Sequence, residues 1–279
     1  VNYYSVYISP AGTTRHVAQV IGAELSALGK SCRSFDLGDS DCRAEVQDLL
    51  AAEARDTCLF IGSPVYASHA VPIVMDFLAS LPSGGACCSV PFVTWGAVTS
   101  GVALFEMATV LEAQGYPVMA AAKIVAQHSL LWQSKSPLGQ GRPDSADDLI
   151  VRSMVKKVVA ALDAGTAQYV PPISLNYHSE ALQKVMAGFV LSSVRKGLPQ
   201  IRLTRELCTL CGDCVAACPV DAVELGDGPV FKDCCIACYN CLRACPEQAL
   251  QADFSSMAAG LAKRVLDFGE QCETRVYLP

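Results

Sequence analysis

The 279-residue chain carries fifteen cysteines, and eight of them fall into two runs of one pattern. Residues 208–219 read CTLCGDCVAACP and residues 235–246 read CIACYNCLRACP. Each run is C-x-x-C-x-x-C-x-x-x-C-P. Two-residue spacers let three thiolates wrap one four-iron cube. The fourth cysteine follows a longer spacer and is carried toward the other cube. The spacing thus predicts two [4Fe-4S] clusters with crossed ligands. One set is Cys208, Cys211 and Cys214 with Cys245; the other is Cys235, Cys238 and Cys241 with Cys218. A zinc site would use two separated pairs, without a third cysteine or the Cys-Pro ending. Disulfide frameworks belong to small secreted chains. Cys234 directly precedes the second run and reads as a shielded neighbour, not a ligand. Cys32, Cys42, Cys58, Cys87, Cys88 and Cys272 lack ligand spacing and read as small buried hydrophobes.

A second constellation lies near the start, in ISPAGTTRHVA. Gly12 allows a close backbone approach. Ser9, Thr13 and Thr14 offer hydroxyls, and a following helix would add unpaired N–H groups and a positive dipole end, which together suit a phosphate. No lysine stands at the P-loop position, and the stretch is not G-x-G-x-x-G, so neither a nucleotide triphosphatase nor a nicotinamide site is indicated. Taken alone, the same residues also fit a hydroxyl-rich helix cap.

The elements that must position these groups follow from periodicity. Residues 1 to about 165 alternate short apolar runs (NYYSVYI, SCRSFDL, DTCLFIG, SVPFVTWG, YPVMAAAKIV) with segments of helical spacing. Five strands alternating with five helices predict a parallel sheet wound on both faces, and near-continuous apolar strands suit that burial. Ser145 and Gly165 are read as the start and stop of the last helix. Residues 1–168 form the α/β domain, 169–203 a linker with a helix over 179–197, 204–252 a small α+β cysteine-rich domain, and 253–279 a packing helix and tail. In the linker, Leu182, Val185, Met186, Phe189 and Val190 share helical spacing.

Composition limits the function classes. Hydrophobic residues make up 52% of the chain, enough for a sizeable core, yet no apolar run reaches membrane-spanning length. A net charge of −6 argues against nucleic acid. The opening VNYYSVYISPAG lacks a basic n-region and a small-residue cleavage site, so it reads as a strand and not a signal peptide. Thiol-rich metal sites place the chain in a reducing compartment, the cytoplasm.

The cysteine segment resembles the bacterial two-cluster ferredoxins over about fifty residues. The N-terminal loop resembles that of flavodoxins, which cradle the FMN phosphate without a positive side chain. Pro10 and Ala11 here replace a small residue and a hydroxyl. In their order, SPxGTT (9–14), GxPVY (62–66), GRPD (141–144) and the cysteine runs resemble the flavodoxin–ferredoxin fusion proteins of anaerobes. The resemblance implies a flavodoxin-like five-stranded sheet of order 2-1-3-4-5 with FMN at the switch point between strands one and three. The binding residues would be Ser9, Pro10, Ala11, Gly12, Thr13 and Thr14 at the phosphate, and Pro64, Val65, Tyr66, Trp95 and Gly96 at the ring. His128 and Tyr66 are candidate proton sources. His128 and Ser129 lie at the site edge, and His128, His69 and Arg142 also fit solvated loop residues.

Flavin exchanges one or two electrons and each cluster one. The expectation is an iron–sulfur flavoprotein that couples a one-electron carrier to an acceptor. A reductase of a small organic substrate fed by its own clusters, and a redox sensor, are the alternatives. Residues 205–252 hold seven acidic and three basic side chains, which predicts a redox-protein partner with a basic docking patch. A small-molecule acceptor is the other expected partner.

Overall fold

The computed structural model describes residues 1–53, 56–84 and 88–279; Cys87 lies outside the described residues. The first part of the chain runs β1 (Asn2–Tyr7), α1 (Thr13–Ala27), β2 (Cys32–Asp36), α2 (Ser40–Glu53), β3 (Thr57–Tyr66), β4 (His69–Ala70), α3 (Pro72–Ala79), β5 (Cys88–Trp95), α4 (Ala103–Ala113), β6 (Ala121–Val125) and α5 (Ser145–Asp163). The linker holds α6 (Glu180–Ala187) and α7 (Leu191–Val194). The cysteine-rich module comprises β7 (Arg202–Leu203), α8 (Asp213–Ala216), β8 (Val223–Leu225), β9 (Pro229–Phe231), α9 (Asn240–Ala244) and β10 (Leu250–Gln251). It is followed by α10 (Met257–Phe268) and β11 (Arg275–Tyr277).

The long parallel strands stand in the order β2-β1-β3-β5-β6. Apart from the two-residue β4, that is 2-1-3-4-5. β5 and β6 are buried throughout and β3 through Pro64, because helices cover both sheet faces. One apolar layer joins the sheet to α2, α3 and α4; the other joins it to α1 and α5. β2 departs from the both-faces expectation. As the edge strand, it buries only Phe35 and exposes Arg33 and Ser34.

Three local readings are corrected. The N-cap of α5 is Asp144, not Ser145: its carboxylate accepts from the Ala146 and Asp147 N–H groups, and Asp147 reciprocates on the Asp144 N–H. Two carboxylates reach both orphan donors, which a single hydroxyl does not. The linker helix is not continuous over 179–197. α6 stops at Gly188, a residue of poor helix propensity, and the chain turns into extended backbone at Val190 before α7. The turn keeps Leu182, Met186 and Phe189 in an apolar cluster with α10 and leaves Val185 and Val190 exposed. The tail is not only a tail: β11 adds a sixth strand, antiparallel to β6.

That last strand brings a buried ion pair with it. Lys123 on β6 meets Glu270 at 2.7 Å, and both side chains are nearly sealed from solvent. Glu270 also accepts from the Ser100 N–H at 2.7 Å and the Thr99 hydroxyl at 2.8 Å. Burial pushes its pKa up, but Lys123 and the Ser100 hydrogen bonds outweigh burial and hold it below the usual carboxylate range.

In the module, β7 pairs with β10 and β8 with β9, both antiparallel. The two cysteine runs repeat one backbone. Leu210 and Ala237, Gly212 and Tyr239, and Asp221 and Gln248 occupy matching positions, and all six have positive φ. No helix among the described residues is long and apolar enough to cross a membrane.

Candidate functional site

A cavity of about 680 Å³ opens beyond the carboxyl ends of the parallel strands, within the range of roughly 300–1,000 Å³ typical of small-molecule sites. Its floor is made of loops from the α/β domain. Pro10, Ala11, Thr13 and Thr14 come from the turn into α1; Pro64, Val65 and Tyr66 from the end of β3; Trp95 and Gly96 from the end of β5; and His128 from the loop after β6. Ser9 and Gly12 do not line it and shape the turn instead. Gly12 has φ +89° as the α1 N-cap, a conformation that favours glycine. The Ser9 hydroxyl accepts from the Arg15 N–H at 2.9 Å.

Thr13 and Thr14 have different duties. Thr14 is buried and shares a 2.8 Å hydrogen bond with the Thr94 hydroxyl, which fastens the turn to β5. Thr13 is half-buried at the cavity wall. Arg15 turns away to Asp36 at 2.8 Å, so the turn offers an anion backbone N–H groups and hydroxyls, not a cation. Trp95 is 1% exposed, and its indole N–H meets no acceptor. That nitrogen is sealed from the cavity as well, so Trp95 contributes to the wall by packing.

The two candidate proton sources are poorly suited to that role. Burial lowers the His128 pKa to about 4, so the imidazole is neutral near pH 7. Its Nδ1 accepts from the Leu130 N–H at 3.3 Å, which leaves the proton on Nε2. The ring lies against Gly96, where a Cβ would come within 2.7 Å of it. Burial, then the nearby Cys238, raises the Tyr66 pKa well above that of an ordinary tyrosine. Both residues are hydrogen-bonding groups at neutral pH, not proton reservoirs.

His69 and Arg142 are not the solvated loop residues expected. His69 Nδ1 meets Glu106 at 2.8 Å and its Nε2 meets the Met186 carbonyl at 3.1 Å. The hydrogen bond to Glu106 raises the His69 pKa, so the ring bridges α4 to α6. Arg142 forks onto Asp147, which also accepts from Thr274. The GRPD stretch therefore caps α5 and holds the start of β11.

Sequence reasoning missed the roof. Phe189 and Leu191 of the linker, Ile236 and Ala237 of the module, and Met257, Leu261, Arg264 and Phe268 of α10 close the cavity from above. The i, i+4 spacing of Met257 and Leu261 shows an apolar helix face; nothing local shows where that face docks.

The cysteines gather in two groups. Cys208, Cys211, Cys214 and Cys245 line one small pocket. Burial raises the Cys214 pKa, with further contributions from Cys211 and Cys245. In the other group, burial pushes Cys238 up to about 11 and Cys241 up to about 12, and Cys235 and Cys218 add to both. Thiolates buried this close together need cationic partners, which iron supplies. Backbone N–H groups reach three sulfurs: Ala222 to Cys218 at 3.1 Å, Ala249 to Cys245 at 3.3 Å and Ala237 to Cys235 at 3.4 Å. Among the described residues, no three Cys, His, Asp or Glu side chains converge on a single-ion site.

Cys234 is exposed beside the second group, with its Sγ 3.8 Å from the Val220 carbonyl. It is not shielded because it sits on a surface turn whose neighbour Asp233 is also exposed. Cys58 and Cys88 are buried, Cys32 and Cys42 are half-buried, and Cys272 is exposed; the buried reading fails for Cys272 because it lies on the outer connection into β11.

The second group adjoins the cavity. Ile236 and Ala237, between Cys235 and Cys238, form part of its wall. Arg243 donates to the Cys238 carbonyl and to the Ser129 carbonyl of the cavity floor, and stacks on Trp132 at 4.4 Å. Arg195 of the linker donates to the Cys235 carbonyl at 3.2 Å, and the Tyr239 hydroxyl to the Pro199 carbonyl at 2.7 Å.

Residues 201–224 match the family described as 4Fe-4S binding domain. No curated protein matches the chain. Among solved structures, a flavodoxin from the domain Archaea is similar at 19% identity, covering 58% of this chain and 99% of that one, with a TM-score of 0.42. A Megasphaera elsdenii flavodoxin is similar at 19% identity, 56% and 98% coverage and a TM-score of 0.41. The rubredoxin oxygen:oxidoreductase of Desulfovibrio gigas is similar at 16% identity and a TM-score of 0.46, covering 60% of this chain and 37% of that enzyme. The chain thus joins a parallel sheet wound 2-1-3-4-5 at one end to a 4Fe-4S binding segment at the other.

Proposed function

We propose that the cavity floor binds FMN, that the two cysteine groups each hold a [4Fe-4S] cluster, and that the chain passes electrons between them in the cytoplasm. The observation that carries this reading is the shared wall: Ile236 and Ala237 belong at once to the loop between two cluster ligands and to the cavity lining. When bound, the clusters supply single electrons and the flavin takes up one or two.

The chain's own residues supply the rest. Thr13 and the open turn before α1 would hold the phosphate. The neutral His128 offers its Nε2–H. The order of the cysteine groups supports a direction: the loop between Cys235 and Cys238 lines the cavity, whereas Cys211 in the other group is exposed. The exposed group would meet a redox-protein partner and the inner group would serve the flavin.

The roof favours a second reading within the same frame. A flavin that only relays electrons needs an accessible edge; a roofed cavity also suits reduction of a small organic acceptor beside it.

The test uses the full chain, reconstituted anaerobically with iron, sulfide and FMN. About eight irons and about one FMN per chain are expected. On rapid mixing with a one-electron donor, cluster bleaching should precede flavin reduction. Flavin reduction at an unchanged rate in a Cys238→Ala variant lacking the inner cluster would overturn the reading.

A further inference from the structure

Arg264 is the only side chain on the described cavity wall with a full charge at neutral pH, since His128 is neutral. Its recorded partner is an aromatic ring: the guanidinium carbon lies 4.7 Å from the Phe189 centroid. No carboxylate among the described residues pairs with it. Phe189 packs edge-on to Phe268 at 6.1 Å, and Leu261 and Met257 continue the apolar surface. Arg264 is half-buried, and a cation thus stands at the cavity against aromatic and aliphatic walls without a counter-charge.

Arg264 is also on the wrong side for the FMN phosphate. Its helix packs on Val98, Val102 and Leu131, from the loops after β5 and β6. The turn that would take the phosphate follows β1, which β3 separates from β5 and β6 in the sheet.

We propose that the roof of the cavity is a subsite for an organic carboxylate with an apolar body, its carboxyl group held by Arg264 and its hydrocarbon part between Phe189, Met257, Leu261 and Phe268. The proposal rests on the reading that FMN occupies the floor. A planar guanidinium matches a carboxylate through two parallel N–H···O bonds. A single cation balances one negative charge, which favours a monocarboxylate over a phosphate ester. The apolar walls select a ligand with hydrocarbon, not hydroxyls, beyond that group.

The test titrates trans-cinnamate and its uncharged isostere cinnamamide into FMN-loaded, cluster-reconstituted full-length protein. Binding is followed by calorimetry and by the flavin absorption bands. Cinnamate should bind more tightly than cinnamamide by about tenfold or more, as charge-assisted hydrogen bonds require. Arg264→Gln should erase that preference with FMN content and thermal midpoint unchanged, and Arg264→Lys should keep part of it. Equal affinity for acid and amide would overturn the proposal. So would an Arg264→Gln variant that loses FMN, or shifts the flavin midpoint potential, while binding cinnamate as before; the arginine would then serve the flavin. Absence of FMN from the wild-type protein would overturn the flavin reading instead, and the calorimetric comparison of acid with amide would still decide the role of Arg264.

Discussion

Arg243 of the cysteine-rich module and Ser129 of the α/β domain are joined by a 2.7 Å hydrogen bond from the Arg243 Nη2–H to the Ser129 carbonyl. The same guanidinium donates to the Cys238 carbonyl at 2.9 Å. One side chain therefore spans from a cysteine of the inner group to the cavity floor. Burial lowers its pKa, yet an arginine stays charged.

Arg243→Met should loosen this joint. Hydrogen bonds from charged donors contribute roughly 1.5–3 kcal/mol each, so a loss on the order of 3 kcal/mol is expected in urea unfolding. Flavin reduction should slow while cluster reduction by an external donor keeps its rate. Unchanged flavin reduction would show that the contact is merely structural.

Cys218→Ala should damage the cluster among residues 235–241 and spare the one nearer to Cys218 in sequence. About four of eight irons should be lost, and electron paramagnetic resonance of the remainder should match that of a Cys241→Ala variant. A spectrum matching Cys211→Ala would reverse the assignment. The Ala222 N–H loses its acceptor in the same variant.

Thr13→Val removes a hydroxyl on the cavity wall. FMN affinity should fall by about 1 kcal/mol, a several-fold rise in Kd by fluorescence titration. Thr14→Val should act mainly on stability, because that hydroxyl is engaged with Thr94.

His69 adds a pH dependence to the seating of α6. Its pKa is raised in the folded protein, first by the hydrogen bond to Glu106. The group takes up a proton on folding, so its stabilisation is complete below the unfolded value near 6.5 and disappears as pH rises through the higher folded value. Hydrogen exchange of the α6 amides should quicken across that window. In His69→Gln the step should vanish.

The sequence shows most clearly what is decided within a few residues. Cysteine spacing, apolar strand runs and the glycine turn at Gly12 all fall in this class. The order of the long strands came from the resemblance to flavodoxins, since alternating strands and helices alone indicate a parallel sheet and not its order. What was hidden depends on distant partners. The α10 face seals the cavity only because Val98 and Leu131 receive it. Arg243 reads as an ordinary basic residue in the second run until Ser129 lies opposite. Lys123 sits in AAKIV, a run of apolar strand character, and its burial makes sense only with Glu270, 147 residues later.

The pairing of Lys123 with Glu270 makes the cysteine-rich module an insertion rather than an appendage. Residues 201–252 leave and return between α5 and β11 of one continuous sheet. Cutting the chain after α5 would strand a buried ammonium and expose the hydrogen-bonding edge of β6. Uncompensating a buried pair costs about 3–5 kcal/mol, a large fraction of a domain's typical stability. During synthesis, the segment that takes the iron emerges before the strand that completes the sheet. Assembly of the metal-binding unit is thus nested within the folding of the unit around it, and the two halves of this molecule are not separable parts.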